Sequence, residues 1–114
     1  MKNLNDTAEL QIKFHGFHPS EFTREYLTYL LRELHEEAPY GATLDASFSR
    51  DNHVFKGMIT IHSSVGKFFA ASADTRLKEA GKKLTAQIRK RLDKWKTLRF
   101  KKRRNFLEHH TSVA

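Results

Sequence analysis

The chain has 114 residues, a formal net charge of +8 and 39% hydrophobic residues, enough for one domain with a small core. It has no cysteine, which excludes a disulfide framework and thiolate chemistry. No apolar run approaches the roughly 18 residues that a membrane-spanning helix needs. Polar residues also interrupt the N-terminus where a secretory signal would be apolar, so we expect a cytoplasmic protein.

The first half of the chain predicts a strand followed by a helix. Residues 1–7 are polar and are expected to be flexible. From Ala8 to Phe14 apolar and polar residues alternate, which is typical of a half-buried strand. Pro19 and Ser20 then open a helix that Pro39 and Gly41 stop. Its apolar stripe repeats every three or four residues and consists of Phe22, Tyr26, Tyr29/Leu30 and Leu34, widened by Leu27 and Leu31.

Three strands follow, separated by short turns. The alternation of Leu44, Ala46 and Phe48 predicts the first of them. A second alternating run covers residues 54–62, and residues 67–73 (KFFAASA) form the third. Because the connections are too short for crossovers, we expect an antiparallel meander. Phe68 and Phe69 point to opposite faces of their strand, so one of them is a candidate for stacking on a base.

The last predicted helix begins at Asp74 or Thr75, either of which can cap it, and extends to Phe100. Gly81 lies within its apolar stripe, and we interpret it as a point of close approach to the sheet. The end of the helix, RFKKRR, is expected to overhang the sheet or to be disordered. The domain is therefore predicted to span residues 8–100, with a basic, disordered tail at residues 101–114. The apolar stripe is Leu77, Ala80/Gly81, Leu84, Ile88, Leu92 and Trp95.

The element order β-α-β-β-β-α, with one apolar stripe on each helix and one apolar face on each strand, predicts an α+β fold. The simplest solution is a two-layer sandwich in which both helices pack on one face of a four-stranded sheet.

The positive charge is concentrated in the last helix. Residues 1–75 hold 7 Lys/Arg and 10 Asp/Glu, whereas residues 76–104 hold 14 Lys/Arg and 2 Asp/Glu. The two acids on that segment are too few to pair with its bases, so the segment is suited to a polyanion such as a phosphate backbone. On a helical wheel the bases fall on two flanks beside the apolar stripe. One flank holds Lys78, Lys82, Arg89 and Lys96, and the other holds Arg76, Lys83, Lys90 and Lys94.

Element order and local sequence together resemble one known family. The segments that carry the resemblance are Ile59-Thr60-Ile61-His62, Phe69-Ala70-Ala71-Ser72-Ala73 and the helical pattern Lys83-Leu84-x-x-Gln87-Ile88-x-Lys90. They are similar to the ribosome hibernation factors, the group of hibernation-promoting factor and ribosome-associated inhibitor A (protein Y). The chain departs from that pattern in its acidic first helix and in the short Asp74-Thr75-Arg76-Leu77 link, and it resembles the short form of the family.

The resemblance implies a translation inhibitor that binds the small ribosomal subunit and its 16S rRNA in the channel for mRNA and tRNA. The serines lack the context of a nucleophile elbow and the chain has no glycine-rich phosphate loop, so we expect no enzyme activity, no cofactor and no small-molecule substrate. We also expect a monomer when free. The RNA-binding residues that the resemblance implies, with two bases of the tail added, are Lys78, Lys82, Lys83, Arg89, Lys90, Lys94, Lys96, Arg103 and Arg104.

Two other functions remain open at the level of sequence. The first is a shape-specific double-stranded RNA-binding module unrelated to hibernation, because the α-β-β-β-α part of the order matches such domains. The second is a protein that binds an anionic membrane surface through the basic helix, although the apolar stripe of that helix is needed for the core. A metal site is not indicated, since His15 and His18 lack a carboxylate or cysteine to complete a ligand set.

Overall fold

The structure is a computed structural model that describes the backbone of residues 9–113 and the side chains of residues 9–98. The predicted flexible segment, residues 1–7, lies outside the described residues. In chain order the elements are β1 (Leu10–His15), α1 (Glu21–Glu37), β2 (Thr43–Asp51), β3 (Val54–Ser63), β4 (Gly66–Asp74) and α2 (Leu77–Val113). The predicted element order is confirmed.

The four strands form one mixed sheet in the order β1-β2-β3-β4. β2, β3 and β4 pair antiparallel, as the short connections predict. β1 pairs parallel to β2, with Leu10 opposite Leu44 and Phe14 opposite Phe48. This parallel pair is possible because α1 carries the chain back to the starting edge of the sheet.

The register places the apolar residues of all four strands on the same face. Leu44, Ile61 and Phe68 form one row across β2, β3 and β4, and Ala46, Ile59 and Ala70 form the next. Both helices cover this face, so the predicted two-layer α+β arrangement is confirmed. The largest fully buried side chains are Phe48, Leu27, Leu31, Leu34, Leu44, Ile59, Ile61, Leu84, Ile88 and Leu92.

Helix α1 begins where the sequence predicts, but it buries a narrower stripe. The Ser20 hydroxyl accepts a hydrogen bond from the Thr23 N–H at 3.1 Å, which is the usual N-cap contact. Leu27, Leu31 and Leu34 are the buried residues of the helix. Phe22, which the sequence assigns to the stripe, is 69% exposed. The leucines occupy the centre of the interface, so the aromatic side chains lie at its edge.

Helix α2 is longer than the sequence predicts. Its backbone remains helical to Val113, 13 residues beyond the predicted end at Phe100, and takes in most of the segment that we expected to be a disordered tail. This segment contains no glycine or proline, and its two Lys, two Arg and one Leu have favourable helix propensities. Such a sequence has no residue that would stop the helix.

Gly81 is a point of close approach, but to the other helix rather than to the sheet. A Cβ atom added at Gly81 would clash with Cδ2 of Leu27 on α1. The predicted contact with the sheet is therefore wrong. The close approach to the sheet is made by Gly57 of β3 instead, where an added Cβ would lie 2.8 Å from the Phe48 ring and 3.0 Å from Leu84. Because these two glycines have no side chain, α2 can pack closely against both α1 and the sheet.

Candidate nucleic-acid interface

The basic residues of α2 divide by exposure. The apolar stripe is buried from Leu77 to Leu92, and most of the bases outside it face solvent. Lys78, Arg89 and Lys96 are half-buried at the edge of the stripe. The remaining described bases form a surface that we call the exposed ridge: Arg76, Lys82, Lys83, Lys90, Arg91 and Lys94. At 1.5 Å per residue the ridge is about 27 Å long.

Two bases near the start of the ridge have acidic partners. Lys83 Nζ lies 2.8 Å from Asp74 Oδ2. This hydrogen bond, together with the one from the Arg76 N–H, lowers the pKa of the Asp74 carboxyl. Lys82 Nζ lies 3.6 Å from Glu79 Oε2 one turn earlier, and both side chains are about half exposed. An exposed pair of this kind is weak, so Lys82 can exchange Glu79 for a phosphate at little cost.

Two other predicted RNA-binding residues, Lys78 and Arg89, contact α1. Lys78 Nζ lies 4.7 Å from the centre of the Phe22 ring and 5.3 Å from that of Tyr26, which are cation–π distances. Arg89 Nε donates to both carboxylate oxygens of Glu37, at 3.1 and 3.2 Å. These residues join the two helices, which the sequence did not indicate because their partners lie far away along the chain.

The second half of the ridge is the most accessible part. Lys90, Arg91 and Lys94 are exposed and have no ion pair among the described residues. Arg91 is missing from the sequence-predicted set because it lies beside the apolar stripe on the wheel. Its position was nevertheless informative. An arginine beside the stripe, one turn before the half-buried Trp95, indicates that the helix is less deeply buried there.

Two predicted residues cannot be placed on this surface. The backbone of Arg103 and Arg104 belongs to α2. Their side chains lie outside the described residues, so their assignment to RNA binding stays a prediction.

The outer surface of α1 has the opposite charge. Its exposed acids are Glu21, Glu25, Glu33 and Glu36. A hydrogen bond to Glu33 and the negative charge of that carboxylate raise the pKa of the Tyr29 hydroxyl. The helical layer is thus acidic along α1 and basic along α2, and a polyanion would meet repulsion on the first and attraction on the second.

The open face of the sheet carries one exposed aromatic side chain. Phe69 is 47% exposed, and Met58 on the adjacent strand is 48% exposed. Phe68, on the covered face, meets Trp95 edge to face at 6.1 Å. Phe69 is therefore the residue of the pair that is accessible for stacking on a base, which stays a prediction.

Two further properties concern the described part of the chain alone. None of its helices is both long and apolar enough to cross a membrane. Among the described side chains, those of residues 9–98, no group of three His, Cys, Asp or Glu is placed to hold a metal ion.

Comparison with known proteins gives matches in structure only. No protein-family model and no curated protein matches the sequence. The fold is similar to the crystal structure of the Thermus thermophilus protein Y N-terminal domain, with a TM-score of 0.64 and 12% identity over 74% of this chain and 93% of that one. It is also similar to a ribosomal subunit interface protein from Coxiella burnetii, with a TM-score of 0.65 and 15% identity over 77% of this chain and 97% of that one.

These likenesses agree with the resemblance that the sequence indicates. Each of the two solved structures is covered almost completely, so the match extends over their whole β-α-β-β-β-α arrangement rather than over one motif. At 12% and 15% identity the agreement concerns the arrangement of the backbone. The chain therefore has the fold of the protein Y N-terminal domain.

Proposed function

We propose that this protein binds the small ribosomal subunit through the exposed ridge of α2 and inhibits translation by ribosomes that are not in use. The observation that carries the proposal is the position of the ridge. It is a set of exposed bases on both flanks of one helix, in a fold that is similar to protein Y and to a ribosomal subunit interface protein. Binding would take place in the cytoplasm, on 16S rRNA in the channel for mRNA and tRNA, and would need no catalysis.

The charges of the ridge favour contact with phosphates rather than with base edges. Lys and Arg side chains on the exposed flanks of one helix present flexible cations without a fixed arrangement of donors. Binding should therefore follow the shape and charge of folded RNA and weaken as salt rises. The acidic outer face of α1 supports one orientation, with α2 toward the RNA and α1 away from it.

Co-sedimentation with purified 70S ribosomes and isolated small subunits tests the proposal. We expect one protein per small subunit and displacement by mRNA together with tRNA. The variant K90Q/R91Q/K94Q should lose binding. A control variant of α1, R24Q/R32Q, loses two exposed positive charges away from the ridge and should still bind.

Competition with duplex RNA separates this function from the double-stranded RNA-binding alternative. If a short RNA duplex binds as tightly as the small subunit, and mRNA with tRNA does not displace the protein, the ribosomal role is wrong and the chain is a general RNA-binding module. Binding to anionic vesicles at least as tight as binding to the subunit would favour the membrane-surface alternative instead.

A further inference from the structure

A groove lies at one end of the sheet, away from the second half of the exposed ridge. It is formed where the β1–α1 loop, the end of β2, the start of β3 and the start of α2 meet, and it encloses about 550 Å³. Ligand sites for small molecules typically have volumes of about 300–1,000 Å³. The groove is thus large enough for one nucleotide.

Three cationic side chains from two separate segments line the groove. Arg50 comes from β2, and Arg76 and Lys78 come from the start of α2. Arg50 Nε donates to the Asn52 carbonyl at 3.1 Å, which restrains the side chain while leaving most guanidinium donors available. A guanidinium presents paired donors that match the oxygens of a phosphate.

The acids near these bases have other partners. Glu79 also lines the groove, but its carboxylate is 3.6 Å from Lys82. Asp51, next to Arg50 in the chain, is 3.5 Å from Lys56, and Asp74 is 2.8 Å from Lys83. Within the described side chains, Arg50 and Arg76 have no carboxylate partner. The groove therefore keeps a surplus of positive charge.

Two phenylalanine side chains form part of the remaining wall. Phe17 and Phe55 both line the groove and contact each other edge to face, with ring centres 5.1 Å apart. Both are only partly buried. The Arg50 guanidinium lies 5.8 Å from the centre of the Phe55 ring, so one cation and one aromatic surface are adjacent. A base can stack on such a surface while its phosphate meets the cation.

We propose that this groove binds one nucleotide unit, with the phosphate held by Arg50, Arg76 and Lys78 and the base packed against Phe17 and Phe55. The ligand is either a free nucleoside monophosphate or an unpaired nucleotide of an RNA strand, since both have the same chemistry. The proposal does not require ribosome binding, and it adds a small ligand that the sequence analysis did not expect.

An NMR titration of the full chain with AMP, GMP, CMP and UMP tests the proposal. We expect saturable shifts of the amide signals around Phe17, Arg50 and Arg76. The variant R50Q/R76Q should bind at least tenfold more weakly. K90Q/R91Q loses the same charge on the ridge and should bind as the original protein does.

Further arms identify the ligand chemistry. Phe17→Leu should weaken nucleotide binding while leaving the response to inorganic phosphate unchanged, with circular dichroism confirming the fold. Tighter binding of a monophosphate than of a trinucleotide identifies a free nucleotide as the ligand, and the reverse identifies RNA; either result supports a nucleotide site.

The same titration has clear contrary outcomes. No saturable shifts with millimolar nucleotide, equal affinity for inorganic phosphate and nucleotide, or equal weakening in R50Q/R76Q and K90Q/R91Q would each overturn the proposal. The titration contains no ribosome, so a negative result would not contradict the proposed ribosome binding. In the same way, a negative co-sedimentation result would not contradict nucleotide binding in the groove.

Discussion

Arg89 of α2 and Glu37 of α1 are joined across the helix pair, 52 residues apart in the chain, by two hydrogen bonds from the same Nε. Arg89 is half-buried, unlike Lys90 beside it. Two adjacent bases of this helix therefore differ in role. Arg89 pairs with Glu37 and stabilises the contact between α1 and α2, whereas Lys90 faces solvent.

Neutralising Arg89 should affect stability more than RNA binding. Because both partners remain partly exposed, the coupling between Arg89→Gln and Glu37→Gln should be about 0.2–1 kcal/mol. A double-mutant cycle measured by urea denaturation gives this value. Lys90→Gln is the control and should leave the free energy of unfolding unchanged. A coupling of zero would mean that the pair does not stabilise the helix interface.

Neutralising the second half of the exposed ridge should reduce the salt dependence of RNA binding. The variant K90Q/R91Q/K94Q removes three cations, so the slope of log K against log salt should become shallower by about 2 to 3. Fluorescence anisotropy with a 16S rRNA fragment at several salt concentrations measures the slope. The melting temperature should not fall, since these side chains have no ion pairs within the described part of the chain. An unchanged slope would exclude these residues from the interface.

Gly57→Ala should destabilise the protein by about 1–3 kcal/mol, because the added methyl group overpacks a closed core. The Cβ would meet the fully buried Phe48 ring at 2.8 Å and Leu84 at 3.0 Å, and neither side chain has space to move freely. Urea denaturation measures the loss. Met58→Ala, at the next position on the open face, should change stability by less than about 0.5 kcal/mol. Equal effects of the two substitutions would contradict the assignment of Gly57 to the face of β3 that the helices cover.

The Asp74–Lys83 pair should make stability depend on acid pH. The pKa of Asp74 is lowered in the folded state, so its contribution is present above the ordinary aspartate pKa near 4 and is lost as pH falls through the lower folded value. Asp74→Asn retains an oxygen for the Arg76 N–H but removes the charge. The original protein should melt above this variant at pH 6, and the difference should shrink by pH 2.5. A difference that does not change with pH would contradict the assigned pair.

The sequence predicts those features that depend on local repetition. Leu44, Ala46 and Phe48 alternate and are all buried, and Ser20 caps the helix that it precedes. Contacts between elements that are far apart in the chain could not be predicted from the sequence. Counting only the acids on α2 itself missed Glu37, which comes from α1. Gly81 was assigned to the wrong neighbour for the same reason, since its spacing shows a close approach without showing to what.

The sequence predicted which residues belong to the candidate site, but not which of them are exposed together on the surface. Charge and periodicity identify the basic helix, yet they do not tell which bases contact α1 and which face solvent. Arg50 was not among the candidate residues because it lies outside the basic helix, and only the fold brings it to the groove that Arg76 also lines.

The parallel pairing of β1 sets the order in which the sheet can assemble. Within the meander, pairing starts between Asp51 and Val54, three residues apart, whereas Leu10 of β1 meets Leu44 only 34 residues later in the chain. Closing a long loop costs more entropy than closing a tight turn. The meander can therefore form early, whereas β1 can pair with β2 only after α1 has formed. β1 also sits at the edge of the sheet and pairs with β2 alone. β1 and β4 are both edge strands, but only β1 also enters the sheet last, so its amide protons should be the first of the sheet to exchange with solvent.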